Sequence, residues 1–141
     1  MKKPAKRSKL STLETDLQAR SQALNTVKLN ARIAESGQLR YTPAGIPALN
    51  LVLEHESEIV ENVVNRQVKL VVRAVAFGLL AENASQLELG KLQLFTGFLT
   101  NARTSKSIVF HIQSIVQVSQ LNPDQVPNPF LGVHHARTKT F

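Results

Sequence analysis

The sequence predicts an all-β domain of five strands with an extension at either end, and three observations carry that prediction. Short runs alternate between apolar and polar residues at period two, the spacing of a strand with one face buried. Between Pro47 and Pro123 there is no proline to interrupt a ladder, and glycines mark the bends instead. Within that stretch a single connector, Leu79 to Leu87, has the length for a helical turn or two.

Residues 1–25 read as a basic flexible arm. MKKPAKRSK lacks apolar periodicity, whereas Ser11-Thr12-Leu13-Glu14 has capping-box spacing and Leu10, Leu13 and Leu17 share a helical face. That fits a short, marginal helix from about 12 to 23. The first strand is Val27 to Glu35, with Val27, Leu29, Ala31 and Ile33 on one side and Lys28, Asn30, Arg32 and Ala34 on the other. Gly37 breaks it, and Gln38 to Thr42 continues to a turn. In Thr42-Pro43-Ala44-Gly45, proline presets its own φ and glycine takes the last position, which fits a type I turn.

Pro47 cannot donate to a ladder, so it should begin a strand. Leu49, Leu51 and Leu53 then alternate with Asn50, Val52 and Glu54 in a second strand, Ala48 to Ser57, which emerges into water at Glu54, His55 and Glu56. A loop is expected around Glu58 to Asn62, followed by a third strand from about Val63 to Phe77. Its first half alternates, and beyond Leu70 both faces are apolar. Gly78 ends it. Gly90 opens a fourth strand, Lys91 to Thr100, apolar on both faces, and Gly97 inside it predicts a bend or a close backbone approach. Asn101 to Ser107 is a polar, basic loop before a fifth strand, Ile108 to Val118. The region with core patterning is therefore 26–119. Residues 120–141, with Pro123, Pro127 and Pro129 and no periodicity, read as a disordered tail ending in the basic HHARTKTF.

This order fits a five-stranded Greek-key barrel, and a small open sandwich almost as well. Strands apolar on both faces need an outer cover, and with no helices to provide it a homodimer about a two-fold axis is the economical expectation.

Composition narrows the function. The net charge is +7, but residues 1–23 hold +4 of it, residues 24–120 +2 and residues 121–141 +1. An acidic partner such as nucleic acid is favoured, although the body is only mildly basic. The absence of cysteine removes disulfides, thiolate metal sites and thiol catalysis together. No run approaches the roughly 20 apolar residues of a membrane span, and no apolar segment follows the basic N-terminus as in a secretory signal. A cytoplasmic protein without membrane contact is expected. No phosphate-cradling, zinc-protease or nucleophile-elbow pattern is found, so neither an enzyme nor a cofactor is expected. His134 and His135 are too few for a metal site. His111 reads as a satisfied strand residue.

The binding candidates are Arg40, Arg66, Lys69, Arg73, Arg103 and Lys106, spread over strand ends and loops, where cations track phosphates. They are expected to converge on one barrel face. Tyr41 is the ring placed to stack on a base, while Phe77, Phe95, Phe98 and Phe110 are assigned to the core.

PAGIP, the LVLEHES strand end, NRQV, the LG before a strand, TGFL and IVFHIQSI occur in an order and spacing that resemble the primosomal replication protein N (PriB) family, relatives of bacterial single-stranded-DNA-binding proteins. The resemblance covers about residues 26–117. It implies the oligonucleotide/oligosaccharide-binding (OB) fold, a homodimer, binding of single-stranded DNA, and support of the primosomal helicase PriA in replication restart. Three departures accompany it. Val64 and Lys69 stand where better-known relatives carry aromatics, the loop between the last strands is shorter while keeping Arg103 and Lys106 as its basic residues, and the tail lacks the acidic tip of general single-strand binders. Those departures weigh toward contact with PriA. The rival readings are a general single-stranded-DNA-binding protein and an OB module that contacts only protein.

Overall fold

Strand β1 (Val27–Ser36) changes partners along its length, and that change closes a barrel. The computed structural model describes the backbone of residues 3–120 and the side chains of residues 12–119. After helix α1 (Lys3–Gln22) and β1 come β2 (Arg40–Tyr41), β3 (Pro47–Glu61), β4 (Val64–Phe77), helix α2 (Leu79–Ala84), β5 (Leu92–Asn101) and β6 (Ile108–Gln117), followed by a 3-10 turn at Val118–Gln120. The sheet runs β1-β5-β6-β4-β3-β2, and β1 also pairs with β3. Residues Val27 to Arg32 bond β5, whereas Arg32 to Ser36 bond β3. The five long strands thus form a closed OB barrel, with β2 a short addition on the edge of β3. All pairings are antiparallel except β4 with β6.

The interior follows the alternation. Ala31 and Ile33, then Leu49, Leu51 and Leu53, Ala74 and Ala76, Phe95, Phe110 and Ile112 form one buried cluster. Ala81 and Ala84 of α2 join it. Each fully buried Leu, Ile or Phe contributes roughly 1.5–3 kcal/mol, so this cluster carries the stability of the chain. The described part of α1 contributes little by comparison, because every residue from Thr12 to Gln22 is exposed.

Several local expectations hold. Pro47 opens β3 opposite Tyr41, and the Gly45 amide donates to the Thr42 carbonyl at 2.8 Å, closing the expected turn. Gly45 has φ +83°, which a residue with a side chain rarely adopts. Gly97 lies where the β5–β6 register slips, so that Thr96 faces Ser114 but Gly97 faces Ile112. A Cβ on Gly97 would overlap the His111 carbonyl oxygen and come within 2.9 Å of the Phe110 ring. This is the close approach that the sequence predicts.

Three expectations are corrected. Helix α1 begins at Lys3 rather than near residue 12. Lys, Arg and Ala are good helix formers, and Pro4 falls in the first turn, where its missing N–H costs nothing. There is also no loop from Glu58 to Asn62: β3 runs on to Glu61, which pairs with Val64 across a two-residue connection. Asn62 and Val63 both have positive φ, 51° and 66°, the signature of a type I′ hairpin. Finally, Val64 to Lys69 is not half-buried. Only Val68 is partly covered, because beyond Glu54 the hairpin leaves the barrel as a two-stranded arm. The tail from residue 121 lies outside the described residues.

Gly97→Ala should destabilise the barrel by about 1–3 kcal/mol, the range for overpacking a filled interior. Chemical unfolding measures it, and an unchanged midpoint would show that β5 and β6 relax freely there.

Candidate nucleic-acid interface

Two rows of side chains cross the outside of the barrel, and the strand registers fix both. Since Leu49, Leu51 and Leu53 face inward, the outward residues of β3 are Asn50, Val52, Glu54 and Glu56, and their partners on β4 are Val75, Arg73, Val71 and Lys69. Carried onto β6 and β5, the first row reads Asn50, Val75, His111 and Phe98. Arg40 joins its end by donating from Nη2 to Asn50 Oδ1 at 3.3 Å. The second row crosses the other wall as Leu92, Arg32, Glu54 and Val71. A groove beside it is lined by Arg32, Glu56, Lys69 and Leu92.

The aromatic assignment needs correction. Phe95 and Phe110 are core, but Phe77 and Phe98 lie on the outer surface. His111 sits against both: its ring stacks on Phe98 at 5.0 Å between centroids and tilts against Phe77 at 5.7 Å. Phe77 is 42% exposed. Period two puts Phe95 and Phe98 on opposite faces of β5, but with both faces of β4 and β5 apolar it could not say which face is the interior.

The seven sequence candidates do not meet at one point. Arg40 and Tyr41 stand at the end of the barrel where β3 begins, opposite the end where the β3–β4 turn lies. Because β4 runs parallel to β6, that turn and the Asn101–Ser107 loop share an end. Arg103 and Lys106 are exposed on this loop, and among the described residues neither has a carboxylate partner. The loop is held by Asn101, whose side-chain amide donates to the Lys106 carbonyl at 2.9 Å. Arg73 lies between the two ends, exposed, opposite Val52.

Two cations are already engaged. Arg66 Nε pairs with Glu61 at 2.6 Å, and Lys69 pairs with Glu56 at 4.0 Å, all four largely exposed. Exposed pairs of this kind contribute little stability, but they lower the positive potential of the arm.

Arg32 belongs with the outer cations and was legible on the polar side of the first strand. Its Nη1 donates to the Gly90 carbonyl at 2.7 Å, which fixes the chain entering β5. Asn25 is a second residue that sequence reasoning passed over. Its amide donates to the Leu99 carbonyl at 2.8 Å and its side-chain oxygen accepts from the Leu99 amide at 3.0 Å. The side chain thereby acts as one more ladder residue beside Leu99 of β5. His55 is half-buried at the root of the arm, bonded through Nδ1 to the Asn30 carbonyl at 2.6 Å and through Nε2 to Ser57 Oγ at 2.8 Å.

Among the described residues no cluster of three or more His, Asp or Glu could hold a metal, and no helix is long and apolar enough to cross a membrane. His134 and His135 lie outside them.

An OB barrel with exposed cations and rings on its outer wall defines a class, the single-strand-binding-type barrels. Residues 25–114 match the family described as "another single-strand binding protein family". Within it the chain belongs to the replication restart protein PriB family. It is 43% identical over 97 residues to PriB of Bordetella pertussis, covering 68% of this chain and 91% of that protein. It also superposes on PriB of Ralstonia solanacearum with a TM-score of 0.62 at 34% identity, over 67% of this chain and 98% of the other. The single-strand-binding domain of a Synechococcus protein, 17% identical, shares the fold with a TM-score of 0.53 over 68% of this chain and 98% of that one.

A double-mutant cycle with Phe98→Ala and His111→Ala should give a coupling of about 0.5–1.5 kcal/mol in chemical unfolding, the value for a packed ring pair. Additive effects would mean that the two rings contribute separately.

Proposed function

We propose that this chain is a replication-restart factor that binds single-stranded DNA along its outer wall and stabilises the primosomal helicase PriA on DNA. It works as a non-enzymatic homodimer in the cytoplasm. The observation that carries the reading is the match to 91% of the length of a protein named replication restart protein PriB, at 43% identity.

The geometry supplies a path in keeping with it. The strand would run from Arg103 and Lys106 past Arg73 to Arg40. The register positions of Arg73 and Arg40 lie four residues apart on β3, or about 13 Å. Phosphates would be neutralised along this line, and Tyr41 and Phe77 are the exposed rings on which bases would stack. Charge neutralisation of this kind is insensitive to sequence, which suits a factor that acts wherever a fork has failed. The ion pairs of Arg66 and Lys69 favour a second reading, an OB module that contacts only protein.

The dimer would cover apolar side chains that the barrel leaves in water. Val71 is 66% exposed and Leu92 40% exposed, at the two ends of one row. Sedimentation at micromolar concentration should show a dimer, and Val71→Glu should shift it toward monomer. A parent chain that sediments as a monomer would contradict the proposal.

A salt series with a labelled oligonucleotide tests DNA binding. Arg103→Ala and Lys106→Ala should each weaken it and flatten the log–log salt slope by about 0.7 for each phosphate no longer neutralised. Arg66→Ala should change little, because Glu61 already neutralises that charge. Glu56→Gln should tighten binding by freeing Lys69. If Arg103→Ala, Lys106→Ala and Glu56→Gln all bind like the parent, the outer wall is not a DNA site and the protein-only module replaces this reading.

A further inference from the structure

The arm formed by the ends of β3 and β4 carries a contradiction at its tip. A two-residue hairpin connection with both φ positive is the place for Asn-Gly, since only small or Asx residues take that backbone without strain. Asn62 conforms, but Val63 does not. A β-branched side chain is held at φ 66° and is 94% exposed, so it is costly in place and stabilised by no burial of its own. Val60 and Val64 are exposed beside it, 66% and 61%. Three valines therefore crown the arm at the point furthest along the hairpin from the core.

Charge indicates what such a tip meets. Glu58 and Glu61 flank it, and the cation nearest in the ladder, Arg66, is occupied by Glu61 at 2.6 Å. Phosphates would be repelled from this collar. A cationic protein surface would be attracted to it.

We infer that the Val60–Val64 tip is a docking site for a protein partner that offers an apolar pocket with a cationic rim. It rests on the reading above, in which that partner is the helicase the chain holds on DNA. Strain at Val63 is then the cost of presenting an apolar side chain at the end of a lever, a pattern in which local stability is given up at a contact site. His55 steadies the lever where β3 parts from β1, by its bond to the Asn30 carbonyl.

Two variants of the full chain separate this from a structural role. Val63→Gly creates the preferred Asn-Gly turn, so the thermal midpoint should hold or rise while the apolar crown is removed. Val60→Thr keeps a β-branched residue in the strand and removes only apolar character. Binding to purified PriA, immobilised without DNA, should fall at least tenfold for Val63→Gly and measurably for Val60→Thr. Parent binding should weaken with added salt, and oligonucleotide affinity should stay within twofold for both variants. Unchanged PriA binding by both variants overturns the inference and leaves the restart reading standing. Loss of oligonucleotide affinity instead would make the tip a DNA element and also overturns it. If the parent itself fails to bind PriA, the helicase reading falls first and the inference with it.

Discussion

The change of partner along β1 is the constraint on which the other features depend. Its first half completes the wall with β5 and its second half completes the wall with β3, so the barrel has no open side between them. The bulge between Ile33 and Glu35 supplies the extra residue that lets the strand bend from one neighbour to the other. Closure buries the backbone of all five long strands in ladders around one apolar cluster. It also settles where β3 and β4 must leave. Past Glu54 no third strand remains to pair with β3, and the hairpin projects as an arm.

From that geometry follows a division of chemistry. Arg103 and Lys106 on the loop and Arg73 on the barrel wall have no carboxylate partner among the described residues, and the Phe77–His111–Phe98 cluster lies on the same wall. The arm holds three glutamates, Glu56, Glu58 and Glu61, and its cations Arg66 and Lys69 are paired with two of them. A polyanion and a protein would thus be drawn to different parts of a small molecule. Both could be held together, as the proposed tethering of a helicase to DNA would require.

Much of the barrel was legible because its strands obey period two and its breaks carry the residues that breaks need. Pro47, Gly45, Gly78, Gly90 and Gly97 each fall where the backbone demands them. The arm was not legible. A two-residue turn is read from Asn-Gly, and Asn62-Val63 hides it, so the end of β3 looked like a loop. The surface rings were missed for a related reason. Phe77 and Phe98 occur in strands apolar on both faces, and only the closed barrel, which buries Ala74, Ala76 and Phe95, shows which face they take. The candidate cations could be named singly, since charge in a loop or at a strand end is visible in sequence. Their arrangement as a line and not a cluster depends on the parallel β4–β6 pairing, and nothing local encodes that.

The separation of DNA contacts from the arm tip is the central claim, and photo-crosslinking of a single-stranded oligonucleotide to the full chain, with adducts located by mass spectrometry, tests it most directly. Adducts should fall in the Asn101–Ser107 loop and at Tyr41 or Phe77, with none from Val60 to Val64. Adducts confined to Val60–Val64, with the loop and the outer wall untouched, would contradict it.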